Sequence, residues 1–332
     1  MPQLRQNVIT GEWVVIAPER AKRPQDFVIP KSVKIADKKK CPFCIGSDGY
    51  KANEKVHNAT SENIYVIENR FPAFVENEKH ASIRSFYPEE GFYRARASIG
   101  DHEVIVIKDH DKNLMNFGPE IMTELLEMIR SRYIYMKEHE KIVSIVPIYN
   151  HGAEAGASMD HPHAQIFASG VVANTVEKEK HGAERYYGVN GTCVFCDLIK
   201  HELHEKIRIV EENDHFLAAT FYAARFPFET WIYPKKHESQ FELTSKESMK
   251  DLAENLCSTL TKLDKTLDNP PLNLYIHTLP AISEESACYH WHLEINPRVS
   301  QYGGFELGSD IIIDVMSPEE AADYLRNSKK EK

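Results

Sequence analysis

Two Cys-x-x-Cys pairs and a series of widely spaced histidines are the residues of this 332-residue chain best suited to chemistry. Cys41-Pro-Phe-Cys44 recurs as Cys193-Val-Phe-Cys196. Each pair precedes an alternating apolar run that ends at a histidine, His110 in the first case and His237 in the second. Roughly fifty residues later comes a second histidine, His161 or His290. A structural zinc site takes four sulfur or nitrogen ligands in a tetrahedron. A Cys-x-x-Cys turn supplies two thiolates from one loop, and two imidazoles from later segments close the shell. The first expected site is Cys41, Cys44, His110 and His161; the second, by the repeat, is Cys193, Cys196, His237 and His290. Two zinc ions per chain are expected. A redox reading of these pairs requires a thioredoxin-like βαβ context, which the pattern lacks. The plainer alternative is buried free cysteines, and Cys257 reads as a small core residue of that kind.

The sequence His161-Pro-His163-Ala-Gln165 carries the sharper signal. On a strand, alternate side chains leave one face. His161 can then anchor to metal while His163 faces an open cleft and Gln165 offers amide hydrogens to a phosphate oxygen beside it. Neutral imidazole is available at pH 7 and is a competent nucleophile. Just upstream, His151-Gly-Ala-Glu-Ala-Gly156-Ala-Ser158 is built of small residues that let backbone N–H groups approach phosphate. The second copy reads His290, His292, Glu294. A carboxylate there repels phosphate and has no hydrogen to donate unless protonated. The second half is therefore expected to keep its metal and to have lost its nucleotide site. His292 reads as a packed or supporting histidine, with a further metal contact as the alternative.

These residues need elements to hold them. Ile121, Leu125, Ile129, Tyr133 and Met136 mark one face of a helix over about 119–138. Met249, Leu252, Leu256, Leu260, Leu263 and Leu267 mark a second, entered through a capping box at Thr244-x-x-Glu247. A last helix starts at Ser317-Pro318. Alternating runs predict strands at 104–107, 143–148, 165–168, 231–233, 273–277 and 293–296. The order of parts repeats, so the expected fold is α+β: a duplicated unit of antiparallel sheet with a long helix packed on each copy. The halves are 1–174, with the nucleophile and first zinc site, and 193–330, with the second. The charged, Gly-containing stretch 175–192 reads as their connection.

Composition narrows the partners. A net charge of −10 argues against a nucleic-acid groove, which needs a basic stripe. Nothing approaches a membrane span of about 20 apolar residues, and no leader is visible at the N-terminus. The expectation is a cytoplasmic protein with no membrane partner and with metal-bound rather than disulfide-bonded cysteines.

The ordered string of Arg20-Ala-Lys-Arg23-Pro, Cys-Pro-Phe-Cys, Asn69-Arg-Phe-Pro-Ala, His110, Asn150, Gly156, Ser158 and His-Pro-His-Ala-Gln resembles the galactose-1-phosphate uridylyltransferases, a branch of the histidine-triad superfamily. The resemblance covers nearly the whole chain. It implies a ping-pong reaction in which His163 attacks the α-phosphate of a nucleotide sugar and passes the nucleotidyl group to a sugar 1-phosphate. It also implies that Arg20, Arg23, Asn69, Asn150, Gly156, Ser158 and Gln165 line the nucleotide and phosphate site, and that the enzyme is a homodimer. Gln165 stands where hydrolase branches carry a third histidine, which marks a transferase. The acceptor segment departs from the usual pattern: Ser300 replaces a lysine and Phe305 a tyrosine, leaving Gly304, Phe305 and Glu306 as acceptor contacts. That string, with the complete second metal set, is similar to the plant ADP-glucose phosphorylase branch, which uses inorganic phosphate as acceptor.

Overall fold

The computed structural model describes residues 1–20, 37–50, 56–76, 92, 93, 95 and 97–328. The chain opens on a short hairpin, β1 (Gln3–Gln6) and β2 (Trp13–Ile16). The first half then supplies β3 (Val56–Thr60), β4 (Ile64–Glu68), β5 (Gly100–Ile107), β6 (Ser144–His151) and β7 (His163–Ser169). The second supplies β8 (Ile209–Glu212), β9 (Phe216–Thr220), β10 (Thr230–Pro234), β11 (Leu272–His277) and β12 (His292–Pro297). The six strands predicted from alternation are all present.

The ten strands of the two halves form one sheet, not two, in the order β3-β4-β5-β7-β6-β11-β12-β10-β9-β8. Read outward from the centre, the order of the second half repeats that of the first. The halves join where β6 pairs antiparallel with β11, with Asn150 opposite Asn273. Duplication here completes the sheet: each half leaves an open edge, and the other half pairs with it.

One face of the sheet carries the two long helices, α1 (Gly118–Lys137) and α4 (Lys246–Leu267), which pack on each other. Met122, Leu125 and Ile129 of α1, Leu252, Leu256 and Leu260 of α4, and Ile105, Ala164, Ile276 and Leu293 of the sheet share one buried cluster. The core thus crosses the midline. The predicted Thr244-x-x-Glu247 capping box is not formed, and the helix is capped one residue later by a single side chain. Ser245 is the N-cap and accepts from Ser248 N–H, while Thr244 is buried with its carbonyl taken by Arg130. The helix start is where the hydroxyl-rich Thr244-Ser245 pair put it, but the neighbouring hydroxyl provides the cap and Glu247 takes no part.

The opposite face is treated differently in the two halves. In the second it is covered. The stretch 175–192, expected as a connection, is mostly helix: α2 (Asn174–Asn190), followed by α3 (Val194–Glu205). Val176, Glu179, Gly182 and Ala183 make a narrow buried stripe on α2, masked in the sequence by the charges around it. Strand β13 (Ile312–Asp314) adds parallel to β2, so the two chain ends form a small sheet over the second half. Ile9, Val14 and Ile16 meet Phe195, Ile199, Trp231 and Tyr233 there. Short helices α5 (Gly304–Ser309) and α6 (Pro318–Asn327) finish the chain, and Ser317 caps α6 as predicted by accepting from Glu320 N–H. In the first half, among the described residues, the same face carries the cluster of Tyr65, Ile67, Val104 and Val106 under Phe43, beside His163 and Gln165. Among the described residues no helix is long and apolar enough to cross a membrane.

Candidate active site and metal sites

The first Cys-x-x-Cys loop is held beside the sheet by Tyr65, whose hydroxyl donates to Phe43 C=O at 2.5 Å. Cys44 Sγ then lies 3.1 Å from His110 Nδ1 and 3.5 Å from His161 Nδ1, Cys41 Sγ 3.4 Å from His161 Nδ1, and the two imidazole nitrogens 3.0 Å apart. A tetrahedron with metal bonds of about 2.0–2.3 Å puts its ligands about 3.3–3.8 Å apart; two of these separations fall in that range and two lie slightly inside it, so the donors are close enough to share one ion. His161 donates Nε2–H to Ile107 C=O at 2.7 Å, which turns Nδ1 towards the other ligands.

The second set repeats this geometry. Cys196 Sγ lies 3.3 Å from His237 Nδ1 and 3.8 Å from His290 Nδ1. His290 donates Nε2–H to Pro234 C=O at 2.8 Å and His237 donates to Ser286 C=O at 2.9 Å. Cys193 completes the group. Both predicted quartets are thus brought together, and each could hold a metal ion.

His163 begins β7 on the face opposite the long helices. It donates Nδ1–H to the carbonyl of His161 at 2.8 Å, which leaves the lone pair on Nε2, and that atom has no hydrogen-bond partner among the described residues. The ring is only 6% exposed and lies 5.3 Å from the Phe43 ring, so it sits deeper than an open cleft implies. Burial lowers its pKa, opposed by the bond to His161; the neutral, nucleophilic form is favoured.

Gln165 follows on the same face. Ala73 N–H points at His102 Nδ1 at 3.2 Å, so the ring proton sits on Nε2 and is donated to Gln165 Oε1 at 2.9 Å. The Gln165 carbonyl is thereby occupied and its amide hydrogens are left for a ligand. Asn69 Oδ1 accepts from Phe71 N–H at 2.9 Å, and its Nδ2 lies 3.0 Å from the same His102 nitrogen. With the ring proton there, the Asn69 hydrogens have no acceptor in His102 and can also serve an anion. Composition and spacing had not singled out His102. A histidine inside the apolar run of β5 was the available signal.

Asn150 is placed by register. Tyr149 pairs with Ala164, and continuing by one residue sets Asn150 across from His163 on the same face. The loop after it differs in part from expectation. Gly152 and Gly156 take φ of +83° and +84°, where glycine is favoured. The Gly156 N–H, expected to face phosphate, donates to Ala153 C=O at 2.9 Å, and Ala157 N–H donates to Gly152 C=O at 3.1 Å. Ser158 is exposed beyond them. Arg20 ends a 3-10 turn, Pro18–Arg20, and Arg23 lies outside the described residues.

The acceptor triplet lies near the C-terminal end of the second half. Gly304, Phe305 and Glu306 open α5, where the Glu306 carboxylate accepts from Gly303 N–H at 2.9 Å. Phe305 is 53% exposed, and nearby Tyr302 stacks on Phe226 at 5.2 Å. Among the described residues the triplet makes no hydrogen bond to the His163 group.

The second half's counterpart of the His163 pocket is filled. His292 replaces His163 and Glu294 replaces Gln165. Trp231 stacks on His292 at 4.5 Å. The Arg225 guanidinium binds both Glu229 and Glu294. Burial alone would raise the Glu294 carboxyl, but Arg225 and His277 outweigh it and hold it well below the usual range. His277 Nδ1 lies 2.9 Å from Glu179 Oε1 and 3.3 Å from Glu294 Oε1. His292 Nε2 and Glu294 Oε1 are buried with no hydrogen-bond partner among the described residues. Glu179, His277, His292 and Glu294 thus form a third group that could hold a metal ion. This favours the metal-contact alternative for His292. Sequence reasoning missed Glu179, because α2 was not seen as a helix, and His277, the end of a strand.

The fold is α+β, two similar halves joined in one antiparallel sheet, with the His163 group in the first half. Residues 1–173 match the N-terminal domain of galactose-1-phosphate uridyl transferase and residues 178–330 match its C-terminal domain. The chain belongs to that family and is a nucleotidyl-transferring enzyme. It is 35% identical to an ADP-glucose phosphorylase of Arabidopsis thaliana, over 98% of this chain and 92% of that one. It is 32% identical to a galactose-1-phosphate uridylyltransferase of Thermotoga maritima over the full length of both. The crystal structure of an Arabidopsis thaliana ADP-glucose phosphorylase with bound ADP-glucose superposes with a TM-score of 0.82 at 33% identity, covering 99% of each chain.

Proposed function

We propose that this enzyme transfers a nucleotidyl group from a nucleotide sugar through a covalent nucleotidyl-histidine at His163, in the reaction UDP-glucose plus hexose 1-phosphate, typically galactose 1-phosphate. The observation that carries this is the His163 Nδ1–H bond to the His161 carbonyl, which leaves Nε2 unprotonated on the face that Gln165 shares by alternation and Asn150 by register. Nε2 attacks the α-phosphorus, the bond to the sugar phosphate oxygen breaks, and glucose 1-phosphate leaves. The charge developing on the ring is held by the His161 carbonyl. The acceptor phosphate then attacks the same phosphorus and restores neutral His163. Amide donors from Gln165, Asn150 and Asn69 stabilise the oxygens in transit. Arg20, Arg23, Gly156 and Ser158 extend the nucleotide and phosphate site. Gly304, Phe305 and Glu306 serve the acceptor. A homodimer is part of this reading.

Zinc is the metal that the two Cys2His2 sets fit, two ions per chain. When bound, it supplies no chemistry to the step; it fixes His161 and the Phe43 loop around His163. The half 1–174 thus carries the reaction, and 193–330 carries the second metal and closes the sheet.

A second reading, ADP-glucose phosphorylase activity with inorganic phosphate as acceptor, is favoured by Ser300 and Phe305 in the acceptor segment and by the 35% identity to the Arabidopsis enzyme. Steady-state kinetics with UDP-glucose and ADP-glucose against galactose 1-phosphate, glucose 1-phosphate and phosphate separate the two. Preference for UDP-glucose with a hexose 1-phosphate supports the first reading; preference for ADP-glucose with phosphate moves the assignment to the second. No turnover with either donor contradicts both.

A further inference from the structure

Strands β11, β6 and β7 set three polar residues in a row on one face: Asn273, Asn150 and His163. Asn273 and Asn150 are register partners, and Asn150 is the cross-strand neighbour of His163. Asn273 comes from the second half. Its Nδ2 donates to Asn150 Oδ1 at 2.8 Å and also to Ala155 C=O at 2.7 Å. The second contact decides the first. A backbone carbonyl can only accept, so the atom of Asn273 facing it must be the NH2 group. The atom of Asn150 that shares this NH2 must then be its oxygen. Asn150 is left with one orientation, its own NH2 turned away from β11, and this group has no partner among the described residues.

The same part of the second half clamps the following loop. His151 Nε2 meets Asn269 Oδ1 at 2.9 Å, and a Cβ on Gly152 would stand 2.8 Å from Pro271 Cβ. Asn273 ties Ala155 at the far end of that loop. The His163 pocket of the first half is therefore shaped from across the midline.

We infer that Asn273 is a positioning residue for nucleotidyl transfer: it locks the Asn150 amide with its hydrogens towards the phosphate and holds the 151–158 loop beside it. This rests on the reading of His163 as nucleophile. An amide free to flip would offer oxygen to an anion part of the time, a repulsive contact in place of a charge-assisted hydrogen bond. Asn273→Asp keeps size and shape but cannot donate. It would attract the Asn150 NH2 to itself and turn the Asn150 oxygen towards phosphate.

The test compares wild type, Asn273→Asp and Asn273→Ser, each alone and combined with Asn150→Ala. Binding of UDP, ADP and the corresponding nucleosides is measured by calorimetry, and nucleotidyl-enzyme formation by rapid quench. The expected result is a loss of about tenfold to a hundredfold in diphosphate affinity and in the rate of adduct formation, with nucleoside affinity and melting temperature unchanged. On the Asn150→Ala background the Asn273 effect should shrink to about threefold or less, because the two act as one unit. Unchanged diphosphate affinity and adduct rate in both Asn273 variants overturn the inference. So does an equal loss of nucleoside and diphosphate binding, or an undiminished effect without Asn150, since these describe general damage. Wild-type enzyme that binds diphosphate but forms no adduct contradicts the proposed function and, with it, the role assigned here.

Discussion

At His163 the direction of one hydrogen bond decides which ring nitrogen can act. The backbone carbonyl of His161 takes the Nδ1 proton, so in the proposed reaction Nε2 is the nucleophile and the ring need not lose a proton first. At His161 the polarity is reversed: Nε2–H goes to Ile107 C=O and Nδ1 turns to the metal set. Two histidines two residues apart thus have opposite tautomers and separable roles. Removing His161 should lower bound zinc as well as activity, whereas removing His163 should lower activity alone; metal analysis of the two purified variants separates the cases. Gln165 cannot act as an acid or base, and an imidazole can. Gln165→His should lower the ratio of nucleotidyl transfer to hydrolysis, and an unchanged ratio would remove Gln165 from control of that choice. The residue pairs were legible in the sequence because ligand spacing and strand alternation are local. The supporting contacts of His102 and Asn273 were not, because they depend on which strands become neighbours.

At the scale of elements, sequence periodicity found α1, α4 and the central strands because each presents a continuous apolar stripe to one core. It missed α2, whose buried stripe is four residues wide amid charges, and the pairing of β2 with β13, which joins the chain ends and leaves no local trace. These elements make the halves unequal by covering the second half's face opposite the long helices. Gly182 is where α2 meets the N-terminal hairpin: a Cβ there would lie 1.8 Å from Ile9 O. Gly182→Ala should destabilise the protein by about 1–3 kcal/mol or more, measured by urea unfolding, and a neutral result would contradict this packing. On the other face, Arg132 of α1 donates from Nε to the buried Glu103 of β5 at 2.7 Å. Arg132→Met removes the charge-assisted hydrogen bonds to that carboxylate and should cost about 1.5–3 kcal/mol by the same measurement.

For the whole molecule, one sheet and one core spanning both halves make duplication a means of support: the second copy fills its own pocket and furnishes β11, its preceding turn and a second Cys2His2 group that could hold a metal ion. Wild-type protein should contain two zinc ions in the Cys2His2 sets, and Cys41→Ser or Cys193→Ser should each remove one. Less than one equivalent of zinc in a folded, unstripped preparation would contradict the two-site assignment. The central claim is that a single histidine of the first half carries the nucleotidyl group. The most direct measurement is mass spectrometry of the enzyme quenched during incubation with UDP-glucose or ADP-glucose and then digested. The account predicts one nucleoside monophosphate added to the peptide containing His163, with no adduct in a His163→Gly variant whose zinc content and fold are intact. An adduct on another residue, or near-native turnover by His163→Gly, would contradict it.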